Sequence, residues 1–83
     1  MDIAAIENQI ITWCSELGLK ITSVDDDFFA CGGTSLTAVK LMNRADAKYG
    51  EDALGPEDLY ERSSITAIAA TIHANLLETA PQR

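Results

Sequence analysis

Ile3, Ile6, Ile10, Trp13, Cys14 and Leu17 recur at the three- and four-residue spacing of a single helix face. At about 100° per residue they occupy less than a third of the way round a helix. The same one-sided pattern returns in Ala38, Leu41, Met42, Ala45 and Tyr49, and again in Ile65, Ile68, Ala69, Ile72 and Leu76. No strand-like alternation competes with these stripes, and no internal repeat or low-complexity segment interrupts them. Three amphipathic helices in a chain of 83 residues must bury their stripes against one another. The expected fold is all-α, in one domain with a modest core.

The punctuation sets the boundaries. Asp2 is an N-cap and Gly18 a C-terminal stop, giving a first helix over 3–17 in which Trp13 and Cys14 are core residues. A second helix runs from Ser35 to Tyr49 and ends at Gly50. Pro56 suits the first position of a short helix over 56–61, with Glu57 and Asp58 in its first turn, Leu59 and Tyr60 buried, and Arg62 solvated beyond it. Leu54, in the connection Asp52–Gly55, reaches the core. Ser63 or Ser64 caps the last helix, and residues 78–83 read as a frayed tail. The expected architecture is a small four-helix bundle of three longer helices and one short helix. A single domain spans 1–83 with its core over about 3–77. The connection 18–34 is long for a compact domain and must be pinned or functional. Leu19, Ile21, Val24, Phe28 and Phe29 supply the pins, the two phenylalanines being the largest.

Charge and composition narrow the function. A net charge of −7 disfavours nucleic acid and anionic membranes and favours partners with basic surfaces. No stretch has transmembrane length, and Asp2 and Glu7 interrupt any leader-like apolar pattern. Two cysteines, Cys14 and Cys31, read as free thiols in a reduced cytoplasmic setting. The Asp25-Asp26-Asp27 triplet fails as a calcium loop. That register needs an oxygen ligand at Phe29, glycine at Ala30 and glutamate at Leu36, so the triplet reads as a solvated acidic turn. Two cysteines and one histidine do not make a standard zinc site without carboxylate help. Nor is a catalytic set visible. Gly33-Thr34-Ser35-Leu36-Thr37 follows a nucleophile elbow for three positions, then lacks the last glycine and any preceding strand. His73, off its helix's apolar stripe, has no orienting acid nearby, and no P-loop lysine follows the glycine pair.

One stretch is left for function: Asp26-Asp27-Phe28-Phe29-Ala30-Cys31-Gly32-Gly33-Thr34-Ser35-Leu36. The glycines allow a tight turn and leave Ser35 unshielded at the start of the second helix. A helix N-terminus offers unpaired N–H groups and the positive end of the dipole, which suits a phosphate ester on that oxygen. Leu36, Val39, Asn43 and Ala47 lie away from the core stripe and form a docking face beside it. Lys40, Arg44 and Lys48 edge that face as a basic row, readable equally as a solvated flank or as a contact for partners.

The run Phe28 to Leu36 resembles the phosphopantetheine-attachment motif of carrier proteins, in particular the peptidyl carrier (thiolation) domains of nonribosomal peptide synthetases. The resemblance covers about residues 3–77. It includes the Asp-Asp-Phe-Phe approach, Gly-Gly-x-Ser-Leu, Tyr49-Gly50, and Leu59-Tyr60-Glu61 followed by Ser64-Ile65. It implies that a separate phosphopantetheinyl transferase, using magnesium, esterifies Ser35 with 4′-phosphopantetheine from coenzyme A, with Gly33 and Thr34 completing the site. The thiol of the arm would then hold an aminoacyl or peptidyl thioester. The chain would be a monomeric carrier and not an enzyme. It would be loaded by an adenylation or other loading enzyme and would serve condensation, thioesterase or tailoring enzymes. Leu36, Val39, Lys40 and Asn43, with Tyr60 and Arg62, would meet those partners.

Fatty-acid carriers typically have Asp-Ser-Leu and an acidic second helix. Thr34 and the basic row move this chain toward the peptidyl class, with an acyl carrier for polyketide or fatty intermediates as the alternative. Cys31, Ala30, Thr34, Tyr60 and Ser63 depart from the family's usual residues. With Met1 one residue before a helix cap and no linker-like flank, the chain reads as a free-standing carrier, with a domain cut from a multidomain synthetase as the alternative. The rival of another class is an unmodified helical interaction module in which Ser35 only starts a helix.

Overall fold

A computed structural model describes residues 2–50 and 53–79. Its helices are α1 (Ile3–Glu16), α2 (Ser35–Tyr49), α3 (Pro56–Glu61) and α4 (Ile65–Thr79), in the order expected. Asp2 caps α1, its Oδ1 accepting the Ala4 N–H at 3.3 Å. The helix closes one residue earlier than its apolar pattern, because Leu17 is already the C-cap. Gly18 takes φ +93°, and the N–H groups of Gly18 and Leu19 turn back to the carbonyls of Ser15 and Cys14. That paired closure consumes two end carbonyls and delivers Leu19 into the core.

The three stripes meet as their spacing requires. Ile6, Ile10 and Cys14 of α1, Ala38, Leu41 and Ala45 of α2, and Ile65, Ile68, Ala69 and Ile72 of α4 are all fully buried. Phe28, Leu54 and Leu59 join them from the loops and α3. Helix α1 packs most extensively on α4, and α2 touches both α1 and α3. Trp13 and Tyr49 meet edge to face at 6.0 Å and close the α1–α2 seam. No helix is long and apolar enough to cross a membrane among the described residues.

Four expectations need correction. Ile3 is 36% exposed, since it lies in the first turn, before the stripe reaches the core at Ile6. Tyr60 is 49% exposed, because its neighbour Leu59 takes the inward position of the short helix. The acidic turn is not simply solvated. Asp26 and Asp27 both accept hydrogen bonds within the fold, and only Asp25 stands clear. Finally, α4 continues through Glu78 and Thr79, two residues expected in the tail; 80–83 lie outside the described residues, as does Asp52. Ser64, not Ser63, caps α4, its Oγ accepting the Ala67 N–H at 3.1 Å.

Candidate functional site

The approach to Ser35 is built from Phe28 outward. Phe28 is fully buried and meets Phe29 edge to face at 5.0 Å. Gly33 folds back on it, donating its N–H to the Phe28 carbonyl at 3.0 Å. The two glycines serve different needs. Gly32 holds φ +107°, a backbone conformation that side chains disfavour. Gly33 provides clearance: a Cβ there would stand 2.5 Å from the Phe28 ring and 2.6 Å from its carbonyl oxygen.

Thr34 then caps α2. Its extended backbone (φ −121°, ψ 174°) turns the chain into the helix, and its Oγ1 accepts the Thr37 N–H at 3.3 Å. The hydroxyls of Thr34 and Thr37 lie 3.0 Å apart and share a hydrogen bond. Thr34 is therefore occupied as a cap, and Ser35 is the first helical residue, exposed, beside the opening N–H groups of the dipole. Among the described residues its hydroxyl has no hydrogen-bond partner. This geometry suits a phosphate ester: an accessible hydroxyl, a positive helix end, and small residues on the approach.

Leu36 is 65% exposed and Val39 is 46% exposed, on the same face of α2 as the exposed Lys40 and Asn43. Tyr60 reaches the neighbourhood through Phe29, on which it stacks at 5.4 Å and 16°. Arg62, the C-cap of α3, is exposed, and exposure is its only tie to this face. The basic row does not act as a row. Arg44 forms an ion pair with Glu16 of α1, and the Lys48 ammonium lies 5.9 Å from the Tyr49 ring centre. Lys40 remains as the cation nearest Ser35 on α2. An open groove lined by Trp13, Arg44, Ala47 and Lys48 lies toward the far end of that helix.

Sequence reasoning missed the fastening of the loop. The Oδ2 of Asp27 accepts the N–H groups of Phe29 at 3.0 Å and Ala30 at 2.9 Å, and its Oδ1 accepts the Ser63 hydroxyl. Asp26 Oδ2 similarly accepts from the Thr22 N–H, the Thr22 hydroxyl and the Ser23 N–H. The Ser63 hydroxyl first, then the Ala30 N–H, hold the Asp27 carboxyl below its ordinary value; the Thr22 N–H leads the same effect at Asp26. The local bonds have a recognisable signature, an aspartate two or three residues before amides in a turn. The Ser63 partner has none.

Both cysteines are free thiols. Burial first, then the neighbouring Cys31, pushes the Cys14 thiol up to about 11. Desolvation, then the carboxylates of Asp26 and Asp27, also raises Cys31. Neither is primed as a nucleophile, since the thiolate is the reactive form.

A family model described as "Phosphopantetheine attachment site" matches residues 11–72. Among curated proteins, the chain is 38% identical over 66 residues to malpinin synthetase of Mortierella alpina, covering 80% of this chain and 1% of that protein. It is 38% identical over 64 residues to a dimodular nonribosomal peptide synthase of Bacillus subtilis (strain 168), covering 77% and 3%. It is 33% identical over 66 residues to syringomycin synthase SyrB1 of Pseudomonas syringae pv. syringae, covering 80% and 11%. The chain thus spans only a small part of the length of each of these relatives. No solved structure gives a significant match.

Proposed function

The chain belongs to the phosphopantetheine-attachment family, and we propose that Ser35 is the residue that carries the arm. The family attaches 4′-phosphopantetheine, which supplies a thiol on a long flexible tether for holding an acyl group as a thioester. The observation that supports Ser35 is its exposed place at the first residue of α2, directly behind Gly33 and the capping Thr34. Thr34 and Thr37 bond each other, which leaves Ser35 as the hydroxyl of this turn without a partner among the described residues.

The cargo in this reading is an aminoacyl or peptidyl thioester for nonribosomal peptide assembly, the activity printed in the name of the Bacillus relative. The chain acts as one carrier domain over residues 1–83 with its core over about 3–77, a monomer in the cytoplasm that performs no catalysis itself. Ser35 accepts the arm from a phosphopantetheinyl transferase. Leu36, Val39, Lys40 and Asn43 of α2, with Tyr60 and Arg62, form the face met by transferase, adenylation, condensation and thioesterase partners. Leu36, Val39 and Tyr60 support this most directly, as large apolar side chains left outside a well-filled core.

The test is intact mass after incubation with coenzyme A, magnesium and a broad-specificity transferase. Wild type gains one phosphopantetheine and Ser35→Ala gains none. A folded wild type that gains nothing with several transferases supports the unmodified interaction module instead. A panel of loading enzymes separates peptidyl from polyketide or fatty acyl cargo.

A further inference from the structure

The long loop is fastened to the α3–α4 connection by bonds that converge on Asp27 and Ser63. The Asp27 carboxylate accepts three donors at once, the N–H groups of Phe29 and Ala30 and the hydroxyl of Ser63. A carboxylate, with acceptor sites on both oxygens, suits this where an amide would present one oxygen only. Around it the backbones pair across the same seam. Phe28 donates to the Ser63 carbonyl at 2.7 Å, and Ile65 donates to the Asp26 carbonyl at 3.0 Å.

This clasp stands directly upstream of Ser35. Phe28 is held from one side by Ser63 and followed on the other by the turn that Asp27 caps. Gly33 closes onto the Phe28 carbonyl and ring, and α2 begins two residues later. The chain of bonds that leads from the α3–α4 connection to the α2 N-terminus therefore runs through Phe28. Asp27 and Ser63 are both half-buried, outside the helix stripes that form the core. Losing their bond should open the loop locally and leave the bundle folded.

We propose that Asp27 and Ser63 are positioning residues for the modification of Ser35, an inference that rests on the reading of Ser35 as acceptor. The clasp keeps the loop in the conformation that presents the α2 N-terminus to the transferase. When the competent conformation is only partly populated, apparent affinity falls by that fraction, while turnover of the bound complex does not. A merely structural role would lower the melting temperature and leave KM unchanged while the native state stays filled.

The experiment uses the full chain as wild type, Asp27→Asn, Ser63→Ala, Ser63→Thr and Asp25→Asn. Rates with coenzyme A, magnesium and a broad-specificity transferase are read by intact mass. Amide hydrogen exchange is followed separately on the unmodified protein. Asp27→Asn and Ser63→Ala should raise KM for the carrier about fivefold to tenfold with kcat within about twofold. They should also speed exchange at Phe28, Phe29 and Ala30. Ser63→Thr, which restores the hydroxyl, and Asp25→Asn, which removes a charge outside the clasp, should follow wild type. A wild-type KM in Ser63→Ala, or an equal rise in Asp25→Asn, overturns the proposal. If Asp27→Asn does not fold, Ser63→Ala decides alone, because it leaves both backbone bonds to Asp27 in place. A wild type that accepts no arm overturns the acceptor reading itself and the positioning role with it, while the exchange data still show whether the clasp closes the loop.

Discussion

At Gly33 the requirement is space, and it is testable by adding one carbon. A Cβ would press on the Phe28 ring and its carbonyl, both held by burial and by hydrogen bonds. Gly33→Ala should therefore cost about 1–3 kcal/mol, the range for overpacking a filled site, measured by urea unfolding. A substitution at Gly32 would strain the backbone instead, because its φ is +107°. Asp26 and Asp27 make a prediction of another kind. Their folded carboxyls lie below the usual 3.8. Their contribution to stability is thus fully present above that pH and is lost as pH falls through the depressed values. Acid titration of the unfolding midpoint should show this loss below about pH 4 in wild type and a shallower loss in Asp27→Asn. Equal slopes in the two proteins would show that the Asp27 bonds do not stabilise the fold.

At the scale of elements, the helices were legible because each carries its own punctuation. Asp2 with Gly18, Ser35 with Gly50, and Pro56 mark boundaries that the structure reproduces within a residue. Tyr60 escaped because a six-residue helix has too few apolar positions to define an inward face. The exposed apolar face of α2 was legible by subtraction, since Leu36 and Val39 fall outside the core stripe. Its basic edge was not, because the partner of Arg44 is Glu16, 28 residues away on another helix. Leu36→Asp should leave the melting temperature within a few degrees, as expected for a surface change of about 0.5 kcal/mol or less. The same variant should slow transfer of the arm to Ser35 severalfold. An unfolded Leu36→Asp protein would contradict the placement of that face.

For the molecule as a whole, apolar periodicity carried the fold and a nine-residue motif carried the candidate site. What neither carried is the tie between them. The clasp joins Asp27 to Ser63 across 36 residues, and Asn75 reaches the Ala53 carbonyl across 22, distances at which local chemistry gives no signal. The resulting division of labour is simple: a bundle filled by α1, α2 and α4, and a strapped loop that leads into the exposed Ser35 at the start of α2. The most direct measurement is site-resolved mass spectrometry of the wild-type chain after reaction with coenzyme A, magnesium and a transferase. Wild type should gain one phosphopantetheine, on Ser35, with Thr34 and Thr37 unmodified. An arm on either threonine, or a folded chain that accepts none, would overturn the assignment of Ser35 as acceptor.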